Sequence, residues 1–124
     1  NVLFEGARLS GVIDFYFAGD DCLLYDVAVC ANDWCLADPQ RDPRLDPQRT
    51  AALLDASRRP VAHGPRELAA WPARLRAAAL RFWLSRLFDY HQPRPGQLVR
   101  VHDPEHFRKV LTSRIEEPAP AWDA

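Results

Sequence analysis

An Asn and an Asp stand 13 positions apart at the outer ends of two apolar runs, Asn1-Val2-Leu3-Phe4 and Gly11-Val12-Ile13-Asp14-Phe15, and a hairpin between the runs would bring the two side chains together. Two oxygen donors converging at strand ends suit a hard cation such as Mg²⁺, which takes few protein carboxylates and leaves its other positions to phosphate and water. The same residues also suit a turn and a cap, and spacing alone does not choose. Asp26 and Asp33 are seven residues apart, two helical turns, so a helix through both projects them from one face. Arg81, Ser85 and Arg86 are the only polar residues from Ala77 to Phe88, and the first two stand one turn apart. An enclosed guanidinium must meet an anion, either a substrate carboxylate held by two hydrogen bonds or an internal partner such as Asp26 or Asp33. Arg86 reads as a surface residue or one that complements the helix dipole. His102 and His106 have i, i+4 spacing, but Pro104 between them marks a helix start and no third ligand is near.

These side chains need elements to hold them. Residues 1–17 read as a hairpin with its turn at Glu5-Gly6-Ala7-Arg8. Ala18-Gly19-Asp20-Asp21 breaks the strand and offers aspartates as an N-cap, and 22–36 follows as a buried helix. Asp38-Pro39, Asp42-Pro43 and Asp46-Pro47 read as a surface connection, because proline inside a helix loses a hydrogen bond; only the last pair opens a helix, with Asp46 as N-cap and Pro47 at the first position of 47–59. A helical region at 65–90 must bend or restart at Trp71-Pro72 and is expected to be enclosed on nearly all sides, with Trp71, Phe82, Trp83 and Phe88 in the core. Pro93-Arg94-Pro95-Gly96 reads as a turn, Asp103-Pro104-Glu105 as a cap opening the helix 104–114, and the tail from Glu116 as loose. The expected fold is α+β but mostly α, a short β hairpin followed by about five helices in one unit spanning 1–124.

Composition narrows the classes. The 124 residues are 48% hydrophobic and 27% charged, which is globular, and no apolar run approaches the ~20 residues that cross a bilayer. Sixteen basic and 17 acidic residues give a net charge of −1, without the basic surplus of a nucleic-acid binder. Neither a polynucleotide nor a membrane is expected as a partner. Cys22, Cys30 and Cys35 are odd in number and lack C-x2-C spacing, so they read as reduced core thiols, and the expected location is the cytoplasm. With no Met and a β-prone run from its first residue, the chain reads as a fragment.

The run Asn-Val-Leu-Phe followed by Gly-Val-Ile-Asp-Phe resembles the segment of aminoglycoside phosphotransferase and choline kinase-like enzymes that starts at the last residue of their H-x-D-x-x-x-x-N loop. Within that superfamily, Leu24-Tyr25-Asp26-Val27-Ala28, Asn32-Asp33-Trp34-Cys35, the run Leu80 to Leu87 and His102-Asp103-Pro104 resemble kinase-like bacterial homoserine kinases. The resemblance implies the C-terminal part of a protein-kinase-like large lobe, from an enzyme that phosphorylates L-homoserine with Mg²⁺ and ATP in threonine biosynthesis. It implies Asp14 as the principal metal ligand and Asn1 as the second, and Asp26 as a support for the catalytic-loop backbone, although a carboxylate at a helix N-terminus is stabilised by the dipole in any case. Asp33 and Arg81 become candidates for the homoserine ammonium and carboxylate. The catalytic base would lie five positions before Asn1, so the chain alone is expected to be inactive, with the N-terminal part of the same enzyme as its partner. Other acceptors in the superfamily are amino alcohols, sugars and aminoglycosides. A helical interaction module that associates with itself is the alternative from a different class.

Overall fold

The structure, a computed structural model, describes residues 1–16, 18–60, 62–93 and 102–122. Strands β1 (Val2–Glu5) and β2 (Arg8–Val12) pair antiparallel around a tight turn at Gly6 and Ala7. Gly6 has a φ of 62°, a left-handed conformation that glycine adopts without a Cβ clash. The second strand stops at Val12, short of the expected Phe17, because Asp14 also takes a positive φ, 66°, which ends the extended path; Phe17 itself lies outside the described residues.

The body is helical. Helix α1 (Leu23–Trp34) buries Leu24, Ala28 and Ala31, an i, i+4, i+7 stripe. The aspartates expected to cap it do not: Cys22 is the N-cap, and the Asp21 carboxylate accepts only from the Cys22 N–H, at 2.6 Å. The helix ends two residues before the expected boundary because Leu36 enters a strand. Here the reading of 38–45 as bare connection is corrected: β3 (Leu36–Asp38) and β4 (Asp42–Leu45) form a second antiparallel hairpin. Pro43 fits because each strand of a two-stranded sheet has a free edge, where a missing N–H goes unnoticed. Helix α2 (Pro47–Arg58) opens as expected, with the Asp46 carboxylate accepting from the Arg49 N–H at 2.8 Å.

The break at Trp71-Pro72 is also found. Helix α3 (Pro65–Ala69) and helix α4 (Trp71–His91) meet at Ala70. Helix α5 (Glu105–Glu116) starts behind Asp103, whose carboxylate accepts from the Glu105 N–H at 2.9 Å. Of the expected turn Pro93-Arg94-Pro95-Gly96, all but Pro93 lies outside the described residues. Leu24, Ala28 and Ala31 of α1 pack with Leu54 of α2 and with Trp71, Leu75 and Ala78 of α4; Leu36, Ala79, Phe107 and Val110 form a second cluster where α4 meets α5. The tail is not loose: Trp122 lies edge-on against Trp71, ring centroids 4.9 Å apart, and Ala119 joins the same cluster.

Helix α4 is not enclosed on all sides. Its stripe at Trp71, Leu75, Ala78 and Ala79 is buried, but Leu80, Leu84 and Phe88 are exposed, Phe88 at 56% of its surface. Arg81 is exposed as well, so the burial that demanded an internal anion does not arise. All three cysteines are free thiols, Cys35 buried and the others half-buried.

Candidate functional site

The first hairpin sets Asn1 beside Asp14. The Ile13 N–H donates to the Asn1 carbonyl at 2.9 Å, and Val2 pairs with Val12, so Asp14 directly follows the residue bonded to Asn1. Both residues are exposed. The left-handed φ of Asp14 departs from the conformation its neighbours hold, and such departures in non-glycine residues concentrate at ligand-holding positions. Among the described residues no group of three or more His, Cys, Asp or Glu side chains forms a metal cage. What the hairpin offers is two oxygen donors, the small protein share that Mg²⁺ takes when phosphates and water complete its shell. The residues present fit such an ion.

On α1, Asp26 and Asp33 are both exposed, in keeping with the single face that their seven-residue spacing implies. Burial raises the pKa of the Tyr25 hydroxyl, Arg81 opposes that rise, and Asp21 and Asp26 add to it. The Arg81 guanidinium lies 4.9 Å from the centroid of the Phe82 ring. It forms no ion pair with Asp26 or Asp33 within 4.0 Å.

Asp33 belongs to a different neighbourhood. A cleft of about 630 Å³ is lined by Asp33 at the end of α1, Arg86 of α4, His102 and Asp103 ahead of α5, and His106 and Lys109 of α5. Arg81 is not among its walls. Arg86 follows Arg81 by five residues, which turns it by roughly 140° around the helix onto the side that meets α5. The two histidines share this cleft without forming a metal cluster.

Asn32, the neighbour of Asp33 in the chain, belongs to a polar junction that was not singled out from the sequence. Arg114 is buried, and its Nε donates to Asn32 Oδ1 at 2.9 Å, one terminal nitrogen to Ser113 Oγ at 3.0 Å and the other to the Pro43 carbonyl at 2.9 Å. Asn32, buried too, donates through Nδ2 to the Leu75 carbonyl at 2.8 Å. One guanidinium thus joins α1, β4 and α5, and through Asn32 also α4. Burial pushes its pKa down to about 10, so it stays charged at neutral pH. The signal was present in α5: Arg114 occupies the i+7 position of the stripe opened by Phe107 and Val110, where an apolar residue is the usual choice.

Comparison with known proteins places these features. The family model described as the phosphotransferase enzyme family, APH, matches residues 1–95. A protein of Janthinobacterium sp. (strain Marseille) named homoserine kinase is 50% identical over 120 residues, covering 97% of this chain and 37% of that protein. Proteins of the same name from Polaromonas naphthalenivorans (strain CJ2) and Methylobacillus flagellatus are 47% and 48% identical over 95% and 93% of the chain, and the alignments cover 37% and 35% of their lengths. The chain spans little more than a third of these relatives.

Proposed function

The chain belongs to the phosphotransferase enzyme family, and from that premise we propose that it is the metal-holding and acceptor-facing part of an ATP-dependent homoserine kinase, forming O-phospho-L-homoserine and ADP. The observation that carries the reading is the identity of 47% to 50%, over nearly the whole chain, to proteins named homoserine kinase.

Phosphoryl transfer needs positioning and charge stabilisation more than covalent chemistry. A Mg²⁺ ion held by this hairpin would supply positive charge to offset that of the phosphate oxygens. Asp14 is the residue proposed to hold it, with Asn1 beside it as the second donor; their adjacency across the hairpin supports both roles. Asp26, in the first turn of α1, is proposed to accept hydrogen bonds from the backbone that carries the catalytic base. That base is expected outside this chain, so the chain alone should neither hydrolyse ATP nor transfer phosphate.

The longer protein that contains this chain tests the reading through ADP release with a panel of acceptor alcohols. L-Homoserine should give the highest kcat/KM. A higher value for another amino alcohol, a sugar or an aminoglycoside would keep the family and replace the acceptor.

A further inference from the structure

The geometry points to the cleft between α1, α4 and α5 as the seat of the acceptor's amino-acid group, with Arg86 holding the α-carboxylate and Asp33 the α-ammonium. This rests on the homoserine reading and adds the residues that select the substrate.

The lining is of mixed charge. Arg86 and Lys109 are cationic, His102 and His106 carry further ring nitrogens, and Asp33 and Asp103 are carboxylates. Asp103 is already engaged, accepting from the Glu105 N–H at the start of α5. Asp33 and Arg86 have no ion-pair partner within 4.0 Å among the described residues, whereas Arg108, on the neighbouring surface of α5, is paired with Glu105. An arginine and a carboxylate facing one cleft without neutralising each other form the complement of a zwitterion.

Arg86 is half-buried in the cleft wall, one turn beyond Phe82, whose ring stacks on Phe107 of α5 with centroids 5.1 Å apart. Its planar guanidinium offers the two parallel N–H bonds that match a carboxylate, and that fork is pre-organised by its own planarity. Asp33 directly follows Asn32, whose amide is fixed at both ends by Arg114 and the Leu75 carbonyl, so its backbone is anchored even though its side chain is exposed. The cleft volume of about 630 Å³ is within the ordinary range of small-molecule sites. A phosphate group would match the cations but would meet Asp33, whereas an amino acid satisfies both signs.

The test uses the longer protein with three acceptors: L-homoserine, L-homoserinamide, which lacks the carboxylate, and 4-hydroxybutanoate, which lacks the ammonium. Arg86→Gln should raise KM for homoserine at least tenfold, leave KM for homoserinamide unchanged and leave KM for ATP and the melting temperature unmoved, while Arg86→Lys should recover part of the loss. Asp33→Asn should raise KM for homoserine and leave that for 4-hydroxybutanoate unchanged. Equal effects on all three acceptors, an unchanged KM for homoserine, or a KM that rises for ATP instead would each overturn the assignment. Wild-type protein that phosphorylates homoserine while the variants keep its KM removes only the cleft; wild-type protein that phosphorylates other alcohols and not homoserine removes the homoserine reading, and the cleft assignment with it.

Discussion

At Asp14 and in the junction around Arg114, single side chains show what the sequence discloses and what it hides. Asp14 was legible as a chemical residue from its place at the end of an apolar strand, but its left-handed backbone was not, because nothing in its identity demands a φ of 66°. Asp14→Gly accepts that conformation and should leave the unfolding free energy within about 1 kcal/mol of wild type. In the longer protein the same change should cut kcat by roughly 10²- to 10³-fold, the usual scale for losing one preorganised charge contact. Activity and urea titrations on one preparation separate the two effects, and a kcat within threefold of wild type would reduce Asp14 to a turn residue. The Arg114 junction was not legible, because two of its three acceptors, on Asn32 and Pro43, come from distant parts of the chain. Asn32→Ala leaves the Arg114 Nε without its partner and takes the second donor from the Leu75 carbonyl. A loss of about 2–3 kcal/mol in urea-induced unfolding is expected, the scale of a buried hydrogen bond to a charged group.

Whole elements were most legible where local chemistry acts alone. The helix opening at Asp46-Pro47 follows from a cap and a fixed φ, and the α3–α4 break from a proline two residues into the new helix; both are found. The β3–β4 hairpin escaped because its prolines rule out a helix but not an edge strand, a distinction that needs the partner strand. In that hairpin the hydrogen bonds and charge of Arg44 hold the Asp42 carboxyl down at about 2. A carboxylate depressed on folding stabilises above its unfolded pKa of 3.8, and that contribution fades as pH falls through about 2. Asp42 should therefore stay ionised at pH 3, as a carbon-detected titration of its side chain would record. The tail escaped for a different reason. Two prolines hide an anchor four residues beyond the first, and Trp122 beside Trp71 is that anchor. Trp122→Ala removes a half-buried indole and should cost about 2–3 kcal/mol, less than the roughly 3–5 kcal/mol of a fully buried tryptophan. An unchanged denaturation midpoint would show the tail to be loosely laid.

For the molecule as a whole, the mostly helical class and the order of elements were legible, while the extent of burial was not. Helix α4 is apolar on nearly every face, and the sequence cannot say which faces the described elements cover; they cover the stripe toward α1 and α5 and leave Leu80, Leu84 and Phe88 in solvent. The bond from Arg114 to Asn32 ties together residues 82 positions apart. Closing so long a loop costs conformational entropy that grows with the logarithm of its length, so short-range pairings such as the two hairpins have the kinetic advantage and this bond belongs late on the path. A contact made after the rate-limiting step shows in the rate of escape from the native state rather than in the rate of reaching it. In stopped-flow experiments Asn32→Ala should leave the refolding limb of the chevron nearly in place and lift the unfolding limb by most of its equilibrium destabilisation, which makes the buried arginine a brake on unfolding.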